Sequence, residues 1–276
     1  MQQIIANILS NTEVIKAHYL LRLQAQDIAA IAQPGQFVMI KCGDKLTLRR
    51  PLSIHRITKS GEIYLFYTGV SLLRGTYKLS REVESRSGKG EGTLWLSQQL
   101  PGKRLDLLGP LGKGFGIDGN TKNLLLIAGG IGIAPLVFLA ERALDDGRSV
   151  KLLLGTRTME DIYPKKLLPK GIDLLVATED GSLGKKGMIS EYVIDYFGWA
   201  DQVFACGPVA MYQAIAEKAA KNRIIRPVQI SLEVRMGCGV GACYSCSIMT
   251  TNGMRRVCRD GPVFNLSETI LEEVCL

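Results

Sequence analysis

The sequence predicts a chain of mixed class in three parts: an antiparallel β-barrel, a doubly wound parallel α/β sheet, and a short cysteine-rich module. Three observations carry that prediction. Short apolar runs closed by turn residues fill the first third, uncharged strands alternate with helical segments in the middle, and four cysteines fall between residues 236 and 258. Regularly spaced short strands suggest a barrel, and strands alternating with helices suggest a parallel sheet covered on both faces.

In the first third, "FVMIKC", "SIHRI" and "EIYLFYT" read as strands, with "QPGQ" and "KSGE" as turns between them. "RLDLLGPLGKGF" reads as the last barrel strand followed by a Gly-Pro-rich exit. In the middle, "NLLLIAGGIGIAPLVFLAERALDDG" is a buried strand, a glycine turn and a helix stopped by Gly147. "SVKLLLGTRT", "IDLLVATEDG" and "QVFACGP" are further buried strands, and "AMYQAIAEKAAKN" is a helix. The expected boundaries are 1–118 for the barrel, 119–225 for the sheet and 226–276 for the cysteine module.

At 276 residues the chain is long for one core and sufficient for two or three domains. The start, "MQQIIANILSNTEV", lacks the basic opening and apolar run of a secretion signal. The uncharged stretch 124–140 is short for a bilayer, and Gly129, Gly130, Gly132 and Pro135 interrupt it, so no membrane span is expected. The expectation is a soluble, cytoplasmic protein. A net charge of +8 is spread along the chain, densest in "KGEGTLWLSQQLPGKR" and "GMRRVCRD". Nothing resembles a nucleic-acid arm, so the charge reads as solubility plus attraction for phosphates or an acidic partner.

Seven cysteines with no export signal make a poor disulfide framework. Cys238, Cys243 and Cys246 are spaced C-x4-C-x2-C, the plant-type [2Fe–2S] pattern, and Cys258 follows after eleven further residues. A loop around such a cluster must turn tightly and aim amide N–H groups at sulfur, and Gly237, Gly239 and Gly241 permit those turns. Asn252-Gly253 is a hairpin signal that returns the fourth thiol. A two-residue turn there puts Cys258 opposite Ser247. Cys246 is then expected in irregular loop, or a bulge must correct the register. Structural zinc is the rival reading, although it usually takes two short Cys pairs and here there is one. Cys42, at a strand end, and Cys275, near the C-terminus, read as structural.

An iron–sulfur cluster carries one electron at a time, and flavin is the usual converter to hydride pairs. "LRRPLSI" suits a flavin: Arg50 can pair with a pyrophosphate, Pro51 fixes the backbone and Ser53 can bond the ring, against the alternative of an ordinary barrel turn. "AGGIGIAP" is not the G-x-G-x-x-G fingerprint. It does set Gly129, Gly130 and Gly132 between a strand and a helix whose first turn holds Pro135, a start that suits a pyrophosphate. "FACGPVAMYQAI" repeats the arrangement, with Cys206 at the carboxyl end of a strand, the edge where such sheets bind ligands. Taken alone, Cys206 reads as a small buried hydrophobe.

In order, "RRPLS", "GEGTLWLS", "LGPLGKGF", "AGGIGIAP", "ACGP" and the terminal cysteines resemble the ferredoxin–NADP⁺ reductase superfamily. "MGCGVGACYSC…RRVCRDGPVF" resembles one branch of it, the electron transfer subunits of type B dihydroorotate dehydrogenases. The resemblance spans essentially the whole chain. It implies a flavin-binding barrel holding FAD, a Rossmann-like NAD-binding sheet and a [2Fe–2S] domain. Carried over, the first flavin motif falls on Arg50, Pro51, Leu52 and Ser53. A second falls on Gly92-Thr93, preferred to Gly75-Thr76, and a strand contact falls on Tyr67. A surface insertion, "TGVSLLRGTYKLSREVES", departs from the family pattern, so Ser85, Arg86 and Ser87 are the alternative to Tyr67. NAD falls on Gly129, Gly130, Gly132, Pro135, Cys206, Gly207 and Pro208, and the cluster on Cys238, Cys243, Cys246 and Cys258.

The implied function is transfer of electrons from the FMN of a separate dihydroorotate dehydrogenase catalytic subunit, through the [2Fe–2S] cluster and FAD, to NAD⁺ in pyrimidine biosynthesis. A heterotetramer of two plus two subunits is the implied assembly, with no nucleic acid or membrane partner. No catalytic acid–base residue is needed, and neither of the two histidines lies in a motif. Related reductase subunits serving glutamate synthase, a hydrogenase or a ferredoxin:NADP⁺ transhydrogenase are one alternative, and a zinc-bearing binding module without redox activity is a second, under which "RRPLS" and "AGGIGIAP" would lack a purpose. Cys238, where those relatives are expected to carry aspartate, favours the dihydroorotate branch. Arg157 in "GTRTMED" could meet a 2′-phosphate, so the choice of NAD over NADP rests on the resemblance.

Overall fold

Fourteen residues at the start of the chain, Gln2–Ile15, form a strand (β1) that closes a barrel at both of its edges. The structure is a computed structural model describing residues 1–69, 90–223 and 226–274. After β1 come β2 (His18–Gln24), a single helical turn α1 (Gln26–Ala29), β3 (Phe37–Ile40), β4 (Arg50–Ile57) and β5 (Glu62–Thr68). A short helix α2 (Glu91–Ser97) and β6 (Arg104–Leu111) complete this part. The strands close in the order β1-β2-β5-β4-β3-β6, every pair antiparallel. Sequence reasoning located β3 to β6 and passed over β1 and β2. The "EIYLFYT" and "RLDLLGPL" strands fall as expected, whereas Cys42 lies two residues beyond the end of β3, buried all the same.

The second part comprises β7 (Asn123–Gly129), α3 (Ile133–Asp145), β8 (Ser149–Thr156), β9 (Asp173–Thr178), the short β10 (Lys185–Lys186), a helical turn α4 (Ile194–Phe197), β11 (Gln202–Cys206), α5 (Val209–Lys221) and β12 (Val228–Ser231). Next follow β13 (Ser247–Thr250), β14 (Gly253–Arg256), a helical turn α6 (Val257–Asp260) and β15 (Val263–Asn265). The sheet runs β10-β9-β8-β7-β11-β12-β15, parallel except for β15. Thus β12 and β15, which flank the cysteines, extend the sheet, and only β13 and β14 stand apart as a hairpin.

The uninterrupted apolar run in β7 follows from its place at the centre. Leu124, Leu126 and Ala128 enter the core on one face, and Leu125 and Ile127 the core on the other. Strand alternation therefore needs apolar residues at every position. Gly147 stops α3 as expected: at φ +74° it lets its own N–H reach Leu144 O and the Arg148 N–H reach Ala143 O, each at 2.9 Å.

Candidate functional site

Strand order decides where a ligand can enter the sheet. The chain lays β8, β9 and β10 on one side of β7, then returns to place β11 and β12 on the other. The reversal point lies between β7 and β11, and ligands of open α/β sheets bind beyond the carboxyl ends of strands at such a point. The turns that leave those two ends are "GGIGIAP" and "CGP".

The two turns touch. A Cβ on Gly129 would lie 2.8 Å from Pro208 Cδ, and one on Gly207 would lie 2.7 Å from Met211 Cε. A Cβ on Gly132 would meet the Cys206 carbonyl oxygen at 1.9 Å. Gly130–Gly132 is one tight 3-10 turn leading into α3, and Pro135 is buried in its first turn. Tyr212, fully buried, accepts the Gly207 N–H at 2.9 Å and donates to Ser231 O at 2.7 Å, bracing the second turn from below. Cys206 is half-buried; its thiol donates to Ser231 O at 3.6 Å, and burial pushes its pKa up to about 12. A protonated thiol at this edge is a weak nucleophile.

On the barrel, the two sequence motifs separated by the insertion also meet. Arg50 opens β4 and donates to Leu48 O at 3.1 Å, and a Cβ on Gly92 would lie 2.4 Å from Arg50 Nε. Glycine at 92 therefore makes room for the guanidinium stem to cross the start of α2. Thr93, one residue on, bonds Gly90 O at 3.4 Å. Pro51, Leu52 and Ser53 are partly exposed. Tyr67 is buried instead: its ring stacks on Tyr19 at 5.6 Å, and its hydroxyl donates to Asn11 at 3.0 Å. The alternatives Gly75-Thr76 and Ser85, Arg86 and Ser87 lie outside the described residues.

The cysteine loop shows what its glycines do. The Cys238 sulfur accepts N–H groups from Ala242 at 3.2 Å and from Val240 and Cys243 at 3.4 Å. Gly241 donates to the Cys258 sulfur at 3.1 Å, and the Cys258 amide donates to the Cys246 sulfur at 3.4 Å. Backbone donors aimed at sulfur suit thiolates and a negatively charged cluster. The Ser245 hydroxyl, 3.2 Å from the Cys243 sulfur, and then its amide bring that thiol down to about 6. Burial, reinforced by the neighbouring Cys246, raises Cys258 to about 12.

The backbone bonds pair the four residues two and two: the Cys243 amide donates to the Cys238 sulfur and the Cys258 amide to the Cys246 sulfur. Among the described residues no three His, Cys, Asp or Glu side chains gather for a single ion. Four thiols with backbone N–H groups aimed at their sulfurs fit an anionic iron–sulfur group. Cys238, Cys243, Cys246 and Cys258 would hold that group.

The hairpin after Cys246 departs from expectation by one residue. The pairs are Ser247↔Arg256 and Thr250↔Gly253, so the turn is Thr251-Asn252 and Cys258 does not face Ser247. A turn on Asn252-Gly253 would need both residues at positive φ, and only Gly253, at +86°, adopts it. Cys246 does sit before the strand, and Cys258 lies in the helical turn α6. Sequence reasoning missed Arg256, which clasps the loop. Its Nη1 donates to Gly241 O at 2.7 Å, and its guanidinium lies 4.9 Å from the centre of the Tyr244 ring.

The loop rests on the barrel. A Cβ on Gly239 would lie 2.6 Å from Met39 Cγ, and Met39 is the cross-strand partner of Pro51. The cysteine site and the "RRPLS" strand are thus separated by one strand.

Comparison with known proteins agrees with this geometry. Residues 233–270 match the family described as the iron–sulfur cluster binding domain of dihydroorotate dehydrogenase B, and residues 126–217 match the oxidoreductase NAD-binding domain. The chain is 35% identical over 277 residues to the dihydroorotate dehydrogenase B (NAD(+)) electron transfer subunit of Desulforamulus reducens, covering 97% of this chain and 98% of the relative. It is 36% identical over 273 residues to that of Geobacillus thermodenitrificans, covering 96% and 97%. Among solved structures, an NADH-dependent reduced ferredoxin–NADP oxidoreductase aligns with a TM-score of 0.80 at 26% identity, over 98% of this chain and 91% of that one. A ferredoxin NADP⁺ reductase from Neisseria gonorrhoeae with bound FAD and NADP shares the fold, with a TM-score of 0.62 at 14% identity over 80% and 92%.

Proposed function

The chain belongs to the family of dihydroorotate dehydrogenase B (NAD(+)) electron transfer subunits, and we propose that it carries electrons to NAD⁺ from an FMN-containing catalytic subunit that oxidises dihydroorotate, in pyrimidine synthesis. It is an oxidoreductase subunit using FAD, a [2Fe–2S] cluster and NAD. When bound, the flavin exchanges a hydride with the nicotinamide and single electrons with the iron pair.

The chain's own residues provide placement. Residues 1–118 form the flavin unit, in which Arg50 supplies charge for the pyrophosphate and Pro51, Leu52 and Ser53 line the ring. Gly92 and Thr93 bound the same place, with Tyr67 as a wall beneath it. Residues 119–225 form the nucleotide unit, to whose sheet β12 and β15 add at one edge. There Gly129, Gly130, Gly132 and Pro135, with Cys206, Gly207 and Pro208, let the nicotinamide dinucleotide approach the backbone at the strand reversal. In residues 226–276 four thiolates would hold the cluster, and the amides of Val240, Gly241, Ala242, Cys243 and Cys258 would offset the cluster's negative charge.

The observation that carries this reading is the contact of Gly239 with Met39, beside Pro51. It leaves a single strand, β3, between the cysteine loop and the flavin motif, which supports direct exchange between the two proposed sites. The partner is a catalytic subunit bearing FMN, assembled two with two, and the complex works in the cytoplasm. No helix among the described residues is long and apolar enough to cross a membrane.

The test is reconstitution. Purified chain should contain flavin, iron and acid-labile sulfide, and NADH should bleach the flavin. Mixed with the catalytic subunit, it should couple dihydroorotate oxidation to NAD⁺ reduction. Purified chain devoid of flavin and iron would refute the reading. Coupling to ferredoxin and NADP⁺ in place of dihydroorotate would assign it to the reductase class of the structural neighbour.

A further inference from the structure

Strand β4 carries an extra residue where the barrel meets the sheet. Ile54 pairs with Leu65 and Arg56 with Tyr64, so two steps on β4 answer one on β5, and His55 is the bulged residue. A bulge re-aims a side chain out of the strand's alternation. Ile54 and His55 are consecutive yet both buried, with Ile54 in the barrel core. His55 points the other way, across the seam. Its Nδ1 is 2.8 Å from Ala134 O and its Nε2 is 2.9 Å from the Tyr163 hydroxyl. A carbonyl can only accept, so Nδ1 carries the hydrogen and Nε2 accepts from Tyr163.

The surroundings lock this imidazole. Phe66 from the barrel lies 5.6 Å from its ring and packs edge-on to Tyr163 at 5.0 Å. Arg56 pairs with Glu141 of α3 at 2.6 Å at the rim, each about a quarter exposed, whereas His55 is 1% exposed. Apolar packing alone has no direction and would let two domains slide. A buried hydrogen bond does have direction, and leaving either partner unmet is costly. His55 stands two residues beyond Ser53, and Ala134 lies between Ile133 and Pro135 at the start of α3.

We propose that His55 is a positioning residue for hydride transfer. Through its bond to Ala134 it fixes the glycine turn at 129–132 at a set distance and angle from residues 50–53. This rests on the reading that the flavin lies against Arg50–Ser53 and the nicotinamide against Gly129–Pro135. Hydride transfer needs the reacting atoms about 3–3.5 Å apart, and a misplacement of about 1 Å costs about a hundredfold. Donor and acceptor here belong to different domains, so the seam sets their separation.

The test uses the holoprotein with flavin and cluster bound, mixed rapidly with NADH while flavin bleaching is followed. Wild-type chain that is not reduced overturns the reading and the proposal together. Where wild type is reduced, His55→Phe, which keeps a ring but loses both bonds, should slow bleaching at saturating NADH by about ten- to a hundredfold. The KM for NADH, the flavin content and the cluster EPR spectrum should stay as they are, and the long-wavelength flavin–nicotinamide charge-transfer band should weaken. His55→Asn, whose amide nitrogen takes the place of Nδ1, should recover most of the rate. Equal rates in wild type and His55→Phe overturn the proposal, as does an Asn variant as slow as the Phe variant. If His55→Phe does not fold, His55→Gln replaces it, because its amide reaches Tyr163 but not Ala134. A wild-type rate in His55→Gln then overturns the proposal.

Discussion

A methyl group on Gly132 would lie 1.9 Å from the carbonyl oxygen of Cys206, so the turn leaving β7 and the turn leaving β11 are in direct backbone contact. Gly132 has φ −58°, a conformation any residue adopts, and space alone demands glycine there. Gly132→Ala should therefore push the two turns apart at the strand reversal. The expected loss is about 1–3 kcal/mol of stability, with NADH-dependent flavin bleaching slowed by about tenfold or more. Iron and flavin content should remain. Thermal melting with rapid-mixing absorbance checks this, and unchanged bleaching would remove Gly129–Pro135 from the nicotinamide site.

Gly239 is constrained in two ways, by φ +74° and by Met39 Cγ at 2.6 Å from its missing Cβ. Gly239→Ala carries about 1–2 kcal/mol of left-handed strain and about 1–3 kcal/mol of overpacking. The cysteine loop should lift off the barrel. Electron flow from reduced flavin to the cluster, read by EPR after NADH addition, should slow while flavin bleaching does not.

The buried Cys258 and the exposed Cys243 should respond differently to loss of sulfur. Cys258→Ala opens a buried ligand position and should abolish acid-labile sulfide. Cys243→Ser puts an oxygen where solvent already reaches and should retain iron with an altered EPR signal. In both variants NADH should still bleach the flavin, because the nucleotide turns are separate from the cysteine loop. Transfer to or from the catalytic subunit should fall in both.

Burial lowers the pKa of His55 from 6.5 to about 3, with nearby Arg56 adding to the effect and the Ala134 bond opposing it. The native chain therefore holds His55 neutral, while the unfolded chain takes up a proton below pH 6.5. Stability should fall as the pH drops from 6.5 to about 3 and level off below, at about 1.4 kcal/mol per pH unit from this group. Tyr163 faces the ring from the sheet domain and Glu141 pairs with Arg56, so both remain in the comparison. Urea unfolding at several pH values should show a flatter acid limb in His55→Phe than in wild type.

Much of the sheet is visible in the sequence because β7 and β11 are buried on both faces, which makes them apolar runs that end in glycine turns. The cysteine spacing is equally local, since short loops around a metal group fix ligand intervals along the chain. β1 was harder to see: half its residues face solvent, it carries Asn7, Asn11 and Glu13, and its two partners, β2 and β6, lie near and far in the chain. The hairpin register slipped by one because Asn252-Gly253 permits two turn geometries, and side-chain pattern alone does not choose between them.

His55 had no signal at all. A bulge breaks the two-residue period that would mark an inward position, and its partners Ala134 and Tyr163 are 79 and 108 residues away. Glycines 92, 132 and 239 were visible as glycines, but what each one accommodates belongs to a different part of the chain.

By itself the sequence determined the cysteine intervals and the glycine turns on which the proposed iron and phosphate sites rest, because both depend on spacing over a few residues. The tertiary structure alone decided that these places adjoin: Gly239 on Met39, Gly92 on Arg50, and His55 across to Ala134. Those contacts join residues distant in the chain, and only packing of barrel, sheet and loop into one body brings them together.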